Sequence, residues 1–241
     1  MTLVIGGTRG TGLLIVRLLS SARAPVRVLA RNPADAARRL PPGVEMIEGD
    51  ITKEETLAAA VGGTSHIVLT AGVRGGYPAT EALVRSTEYD GVLNVLAAAR
   101  STGFTGRLLY MTSIGVTIPT ISATLLNLWK GNTLKWRGQS ERHIRASGID
   151  YTVIRAGVLL NREGRRQGVN VVQEPLPLSW RYRIARADVA DAFVVSLDHP
   201  RASRATFDIV WGRESPREGW HARLDLLRPD AQVVHVEPHE S

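Results

Sequence analysis

The 241-residue chain contains no cysteine, which excludes disulfides, thiolate metal sites and a cysteine nucleophile. Only three of its thirty basic residues are lysines, at positions 53, 130 and 135. Long apolar runs are missing as well, and no stretch reads as long enough to span a bilayer. A secretory leader needs a basic start and then an apolar stretch, whereas Gly6 and Gly7 interrupt this sequence almost at once. A cytoplasmic location is the default expectation. Of the six histidines, at 66, 143, 199, 221, 235 and 239, only His235 and His239 are spaced HxxxH, across Pro238, and none forms HExxH, so no metal site is expected. The formal net charge of +7 could attract a polyanion, but no interleaved aromatics or nucleic-acid motif accompany it, and a nucleic-acid partner is not expected.

What is present is a regular alternation of strand and helix signals. Short β-rich runs fall at 2–5, 26–30, 44–48, 67–70, 107–112 and 151–155. Between them lie helical patterns: 13–19, a short helix opened by Asn32-Pro33, one from the capping-box sequence Thr52-Lys53-Glu54-Glu55 to residue 61, 87–100, and 132–146 ending at Gly148. Strands alternating with helices imply a parallel sheet covered on both faces. The fold class expected is a doubly wound, Rossmann-type α/β sheet in one domain spanning 1–241. After Gly157 the rhythm breaks, with helices expected at 187–197 and 216–227 and a strand at 206–210. Residues 158–241 are therefore read as a small C-terminal lobe over the sheet's carboxyl edge, and 1–157 as the dinucleotide-binding core.

The sequence Gly6-Gly7-Thr8-Arg9-Gly10-Thr11-Gly12 lies between the first strand and the first helix. That context separates a dinucleotide-binding loop from an ordinary glycine turn. Gly6 permits the tight turn and Gly12 lets helix and strand pack closely. The helix start offers free N–H groups and partial positive charge to a pyrophosphate. Cofactor choice is read at the end of the second strand, where NAD-binding proteins carry a carboxylate for the ribose hydroxyls. Here Arg31-Asn32 stand instead. A guanidinium pairs with a 2′-phosphate that a carboxylate would repel, and Arg9 is placed to reach the same phosphate from the loop. NADP(H) is the expected cofactor; a solvated surface role is the alternative for Arg31.

The loop resembles the GATGxxG motif of the atypical short-chain dehydrogenase/reductases, the NAD(P)-binding NmrA-like group, with Arg9 at its middle glycine. The likeness continues through Leu29-Ala30-Arg31-Asn32-Pro33, Glu48-Gly49-Asp50-Ile51, the segment from Ser147 to Gly157, and Ile184-Ala185-Arg186-Ala187-Asp188-Val189-Ala190. The resemblance implies that Thr8, Gly10 and Thr11 join Gly6, Arg9 and Gly12 around the phosphates. It also implies that Asp50 and the Ile51 backbone meet the adenine, and that Thr70, Ala71 and Gly72 line the adenosine ribose. Thr112 and Ser113 would sit beside the nicotinamide, and Ala156, Gly157 and Val158 would offer backbone atoms to its carboxamide. Asp50 also reads as a cap for the next helix. Arg186 and Asp188 read as structural.

The wider superfamily often uses a Tyr-x-x-x-Lys pair on one helix face, where the ammonium lowers the tyrosine pKa. None of the five tyrosines, 77, 89, 110, 151 and 182, has a lysine four residues on. Alignment on the helix before Ser147 puts Arg137 at the lysine position and Thr133 at the tyrosine position. Arginine can bond ribose or phosphate but cannot shuttle a proton at neutral pH. Lys135 lies on a different face. The expected function is an NADPH-dependent reductase of a small or quinone- or flavin-like acceptor, with Ser113 and Arg137 as candidate catalytic residues. The alternative is a non-catalytic NADP(H) sensor that contacts a partner protein through the basic segment 162–166. A small-molecule substrate or a partner protein, and a monomer or weak dimer, complete the expectation. Trp129, Trp136, Leu159, Leu160 and Trp180 are candidates to line the substrate pocket, with Arg181 and Arg183 either favouring an acidic ligand or facing solvent.

Overall fold

A computed structural model describes residues 1–73, 78–212 and 217–231. Strand β1 (Thr2–Ile5) leads into helix α1 (Gly10–Ser21), and β2 (Val26–Ala30), α2 (Pro33–Ala37) and β3 (Glu45–Glu48) follow. The chain continues through α3 (Ala58–Val61), β4 (His66–Leu69), α4 (Glu81–Arg85), α5 (Gly91–Ser101) and β5 (Arg107–Ser113). Then come α6 (Ile121–Trp129), α7 (Thr133–Ala146), β6 (Asp150–Ala156), β7 (Val158–Leu160), β8 (Gly168–Val172), β9 (Arg183–Ala185), α8 (Arg186–Ser196) and β10 (Ala205–Gly212). Among the described residues, eight strands form one sheet in the order β3-β2-β1-β4-β5-β6-β10-β8, parallel except for β8. This is the doubly wound α/β sheet that the alternation of elements predicts.

The two faces of the sheet follow from side-chain alternation along each strand. Val4, Val28, Val68, Leu109 and Ile154 join Ile15, Val16 and Phe193 under α1 and α8. Leu3, Ile5, Ile67, Tyr110 and Val153 join Val95, Leu96 and Ile144 under α5 and α7. The amino edge of the sheet is tied by two arginines. Arg27 bonds Glu45 and the carbonyls of Ala60 and Gly62. Arg107 bonds Asp150 and reaches the carbonyls of Ser196 and His199 at the end of α8, where positive charge suits a helix C-terminus.

Several expectations need correction. The capping box at Thr52 does not form: both the N–H and the hydroxyl of Thr52 donate to Asp50 Oδ1, and the segment starts as a tight turn at Glu54–Thr56. The helix expected from residue 87 starts at Glu81, capped by Thr80 Oγ1, and passes through a widened turn at Ser86–Asp90. Helix α6 was not expected. The region after Gly157 also divides. β7 and β9 pair in a small separate sheet, while β10 and β8 extend the main one rather than covering it. The helix expected at 216–227 is a tight helical segment at Trp220–Leu226, and Pro216 lies outside the described residues.

Candidate dinucleotide-binding site

The sheet order reverses direction between β1 and β4, and in such sheets ligands bind where that switch meets the carboxyl ends of the strands. The glycine loop sits there. Gly6 has φ +89°, and a side chain on it would come within 2.7 Å of the Ala71 backbone nitrogen. A Cβ on Gly12 would lie 2.3 Å from the Gly6 carbonyl oxygen and 2.5 Å from Thr70 Oγ1. These contacts are what let α1 start close against both strands. Its N-terminus carries no side-chain cap and no acidic residue in the first turn, so its free N–H groups and positive pole face the carboxyl edge. Thr11 Oγ1, in that first turn, and Thr112 Oγ1, near the end of β5, are buried with no hydrogen-bond partner among the described residues. Buried hydroxyls are ordinarily satisfied. A glycine cradle, an open helix start and two orphaned hydroxyls together fit a dinucleotide.

The other expected residues are distributed as follows. Arg9 and Arg31 are exposed at the α1 cap and just past β2. Asn32 caps α2, its Oδ1 accepting from Asp35 N–H. Asp50 commits Oδ1 to Thr52, the local-cap role, and the Ile51 carbonyl accepts from Asn94. Thr70 Oγ1 donates to the Ile5 carbonyl. Ser113, half-buried, ends β5 opposite Ala156. Gly157 N–H donates to Ile209, Val158 N–H to Tyr182, and the Ala156 carbonyl accepts from Ile114. The two N–H groups at 157 and 158 are therefore engaged within the fold.

Arg137 differs most from expectation. A side chain on Gly72 would lie 2.9 Å from Arg137 Nη2 and 3.0 Å from Glu88 Oε1, so Arg137 does reach the β4 end. However, its Nε and Nη2 are bound to Glu88 at 2.9 and 3.0 Å. Thr133 Oγ1 and Val73 N–H donate to the same carboxylate. Burial alone would raise the Glu88 carboxyl, but the Arg137 charge and these bonds hold it below its usual range. For Arg137, burial works against the charge, yet Glu88 holds its pKa above the usual value. Arg137 is thus a fixed cation, and Thr133 is not free to act as an acid. Glu88 had no signal in the sequence: its partner is 49 residues away, and it sits in the widened turn. Lys130 was also passed over. It is buried, and its pKa is lowered by burial first, with Glu88 opposing and Arg137 adding. Lys135, the lysine considered from sequence, pairs with Glu81 at 3.2 Å.

Beneath the site, α7 is bound to the sheet by charge. Arg155 Nε lies 3.0 Å from Glu141 Oε1 and its Nη2 2.6 Å from Oε2, with both side chains buried. Asp208, 3.9 Å from Arg155, accepts from Leu176 N–H, and burial pushes its carboxyl up to about 7. On the substrate side, Trp129 and Trp180 are exposed, and Leu159 and Leu160 are partly buried in β7. Trp136 does not line this region; its Nε1 donates to Glu81 and its ring packs on Tyr89. Arg181 and Arg183 are exposed. In the basic segment Arg165 pairs with Asp191 of α8, while Arg166 pairs with Glu163 within the segment and both stay exposed.

The sheet order, the switch point and the glycine cradle define a nicotinamide-dinucleotide-binding Rossmann protein. Residues 6–200 match the NAD(P)H-binding family, and the chain belongs to that family. It is 30% identical over 229 residues to a chloroplastic protein of Arabidopsis thaliana, covering 90% of this chain and 79% of that one. It is 27% identical over 245 residues to the sanguinarine reductase of Eschscholzia californica, covering 87% and 88% of the two chains. The fold is shared with an anaerobillin reductase from Escherichia coli O157:H7, with TM-score 0.72, 20% identity, and 89% and 98% of the chains covered. Among the described residues, no helix is long and apolar enough to cross a membrane, and no group of side chains could hold a metal ion.

Proposed function

We propose that the protein is an NADPH-dependent reductase of flat, apolar acceptors of the quinone or flavin class, acting without a tyrosine acid. The observation that carries the reading is the surface beside the end of β5. Helix α6 exposes Ile121, Leu125, Leu128 and Trp129, an apolar stripe at helical spacing. Its two ends are held on either side of the carboxyl edge: the chain enters it from β5 past Gly115, whose N–H donates to Leu176, and the Trp129 carbonyl accepts from Ala79 beyond β4. Trp180, also exposed, follows on the strap that packs on Gly115. Exposed apolar surface of this kind marks a binding surface, and a flat aromatic acceptor suits it.

A reduced nicotinamide, when bound, supplies the hydride. The chain's own contribution is placement: Ser113 Oγ orients an acceptor oxygen at the end of β5, and the α6 surface keeps water from the face of the acceptor. Arg137 keeps its charge at the β4 end because Glu88 fixes it there. The name of the sanguinarine reductase supports the reductase reading.

NADPH oxidation against naphthoquinones, flavins and small aldehydes tests this. Quinones or flavins should turn over and simple aldehydes should not. Ser113→Ala should lower kcat by roughly tenfold, one hydrogen bond's contribution. Tight NADPH binding with no oxidation by any acceptor would favour the sensor reading instead, which the immobilised Arg137 and Thr133 also fit. For the choice of cofactor, Arg31→Ala should cut the preference for NADPH over NADH by roughly ten- to hundredfold while NADH affinity changes less than about twofold. An unchanged preference would remove Arg31 from the 2′-phosphate site.

A further inference from the structure

Three arginines gather where α8 begins, against two aspartates. Arg165 takes Asp191 through Nε and Nη2 at 3.0 and 2.8 Å. Arg217 takes Asp188 and Asp191 at 2.8 and 3.1 Å. Asp188 is fully buried and also accepts from Arg165 N–H and Trp211 Nε1. The third, Arg186, has no carboxylate partner among the described residues. Its Nε donates to Asn161 Oδ1 at 2.7 Å, and its Nη1 lies 3.7 Å from where a side chain on Gly10 would stand. Gly10 opens α1, and Arg186 opens α8. The two helices pack side by side, so the uncapped start of α1, with no acidic residue in its first turn, and a guanidinium meet at one point, while Asp188 in the first turn of α8 is engaged by Arg217, the Arg165 N–H and Trp211. Burial lowers the Arg186 pKa, and no neighbouring charge offsets it. A part-buried cation left without an anion beside the glycine loop is out of keeping with a structural role, since its two neighbours show how this fold treats a structural arginine.

We propose that Arg186 is a binding residue for the diphosphate of the dinucleotide, held in position by Asn161. The proposal rests on the cofactor reading above. Arg186 closes on the diphosphate from the α8 side while the α1 N–H groups hold it from the loop. Arg31, just past β2, serves the 2′-phosphate with Arg9 reaching it from the α1 cap, a separate task. Asn161 fixes Nε, which leaves the two Nη groups for a bidentate grip on phosphate oxygens.

Calorimetric titration separates the two tasks. ADP-ribose contains the diphosphate and lacks the 2′-phosphate; 2′-AMP is the reverse. Arg186→Gln should weaken ADP-ribose and NADPH by roughly ten- to hundredfold, as expected for charge-assisted bonds to phosphate. It should leave 2′-AMP within about twofold and the NADPH-to-NADH preference unchanged. Arg186→Lys, which keeps the charge and loses the fork, should recover part of the ADP-ribose affinity. The proposal fails if Arg186→Gln binds ADP-ribose as the wild type does. It also fails if the loss extends equally to 2′-AMP, or if lysine restores nothing, because both results describe a residue that only supports the fold. If the wild type binds ADP-ribose but not 2′-AMP, the NADP reading fails instead, and the glutamine–lysine comparison with ADP-ribose still decides the role of Arg186.

Discussion

Gly12→Ala should weaken NADPH binding by roughly a hundredfold. A Cβ there stands 2.3 Å from the Gly6 carbonyl oxygen and 2.5 Å from Thr70 Oγ1, far inside van der Waals contact. Both neighbours are fixed: the Gly6 carbonyl belongs to the turn, and Thr70 Oγ1 is bonded to the Ile5 carbonyl. Only a shift of α1 away from β1 and β4 makes room. Overpacking of this kind costs about 1–3 kcal/mol, and 1.4 kcal/mol is tenfold in affinity. The loss should fall on binding because the helix start that must move is the one that meets the phosphates. Gly43→Ala is the control. Its Cβ would meet nothing within 4 Å, so it should show only the small stability cost of its positive φ and wild-type binding. Equal binding by Gly12→Ala and Gly43→Ala, read by fluorescence titration, would refute the placement of the phosphate loop.

Glu88→Ala should be the most destabilising of these changes. It leaves Arg137, whose side chain is 16% exposed, without its counter-charge, and it strands Thr133 and Val73 N–H. Breaking a buried ion pair from one side costs about 3–5 kcal/mol. For a domain of this size each kcal/mol moves Tm by about 2–4 °C, so a fall of roughly 6–20 °C is expected in a thermal melt. Arg137→Leu in the Glu88→Ala background should restore part of the loss, because the uncompensated charge goes with it. If the two changes instead add, the pair is not the unit that holds α7 to the end of β4. NADPH binding should weaken in Glu88→Ala as well, since Gly72 packs against both side chains.

The parts of this molecule that were legible in the sequence are those where one residue type is required locally. The glycine loop could be read because only glycine fits where a Cβ would strike backbone. The strands of the core could be read because each is a short apolar run between turn signals. Asn32 announced α2 because an Asn-Pro pair is a helix start written in two adjacent residues. Helix α6 escaped although Ile121, Leu125, Leu128 and Trp129 stand at helical spacing, because the segment is short and Ser122, Thr124 and Asn127 between them also read as loop residues. Glu88 and Arg186 escaped for a different reason. The importance of Glu88 lies in a partner on another helix. The role proposed for Arg186 rests on its having no carboxylate partner among the described residues, which shows only when every nearby carboxylate is assigned in space. The strand expected at 206–210 is β10, whereas β7, β8 and β9 escaped; β8 is antiparallel and pairs with a strand far along the chain, at Asp208↔Val172 and Trp211↔Val169.

The two arginines of the amino edge bear on how such a protein can change over generations. Arg27 and Arg107 close the turns and helix end at that edge through backbone carbonyls, contacts that do not depend on which side chains the other edge carries. The exposed residues of α6 can therefore change without touching these contacts. The outward face of α6 and the anchoring of the amino edge rest on different residues, and selection can act on one while the other stays constant.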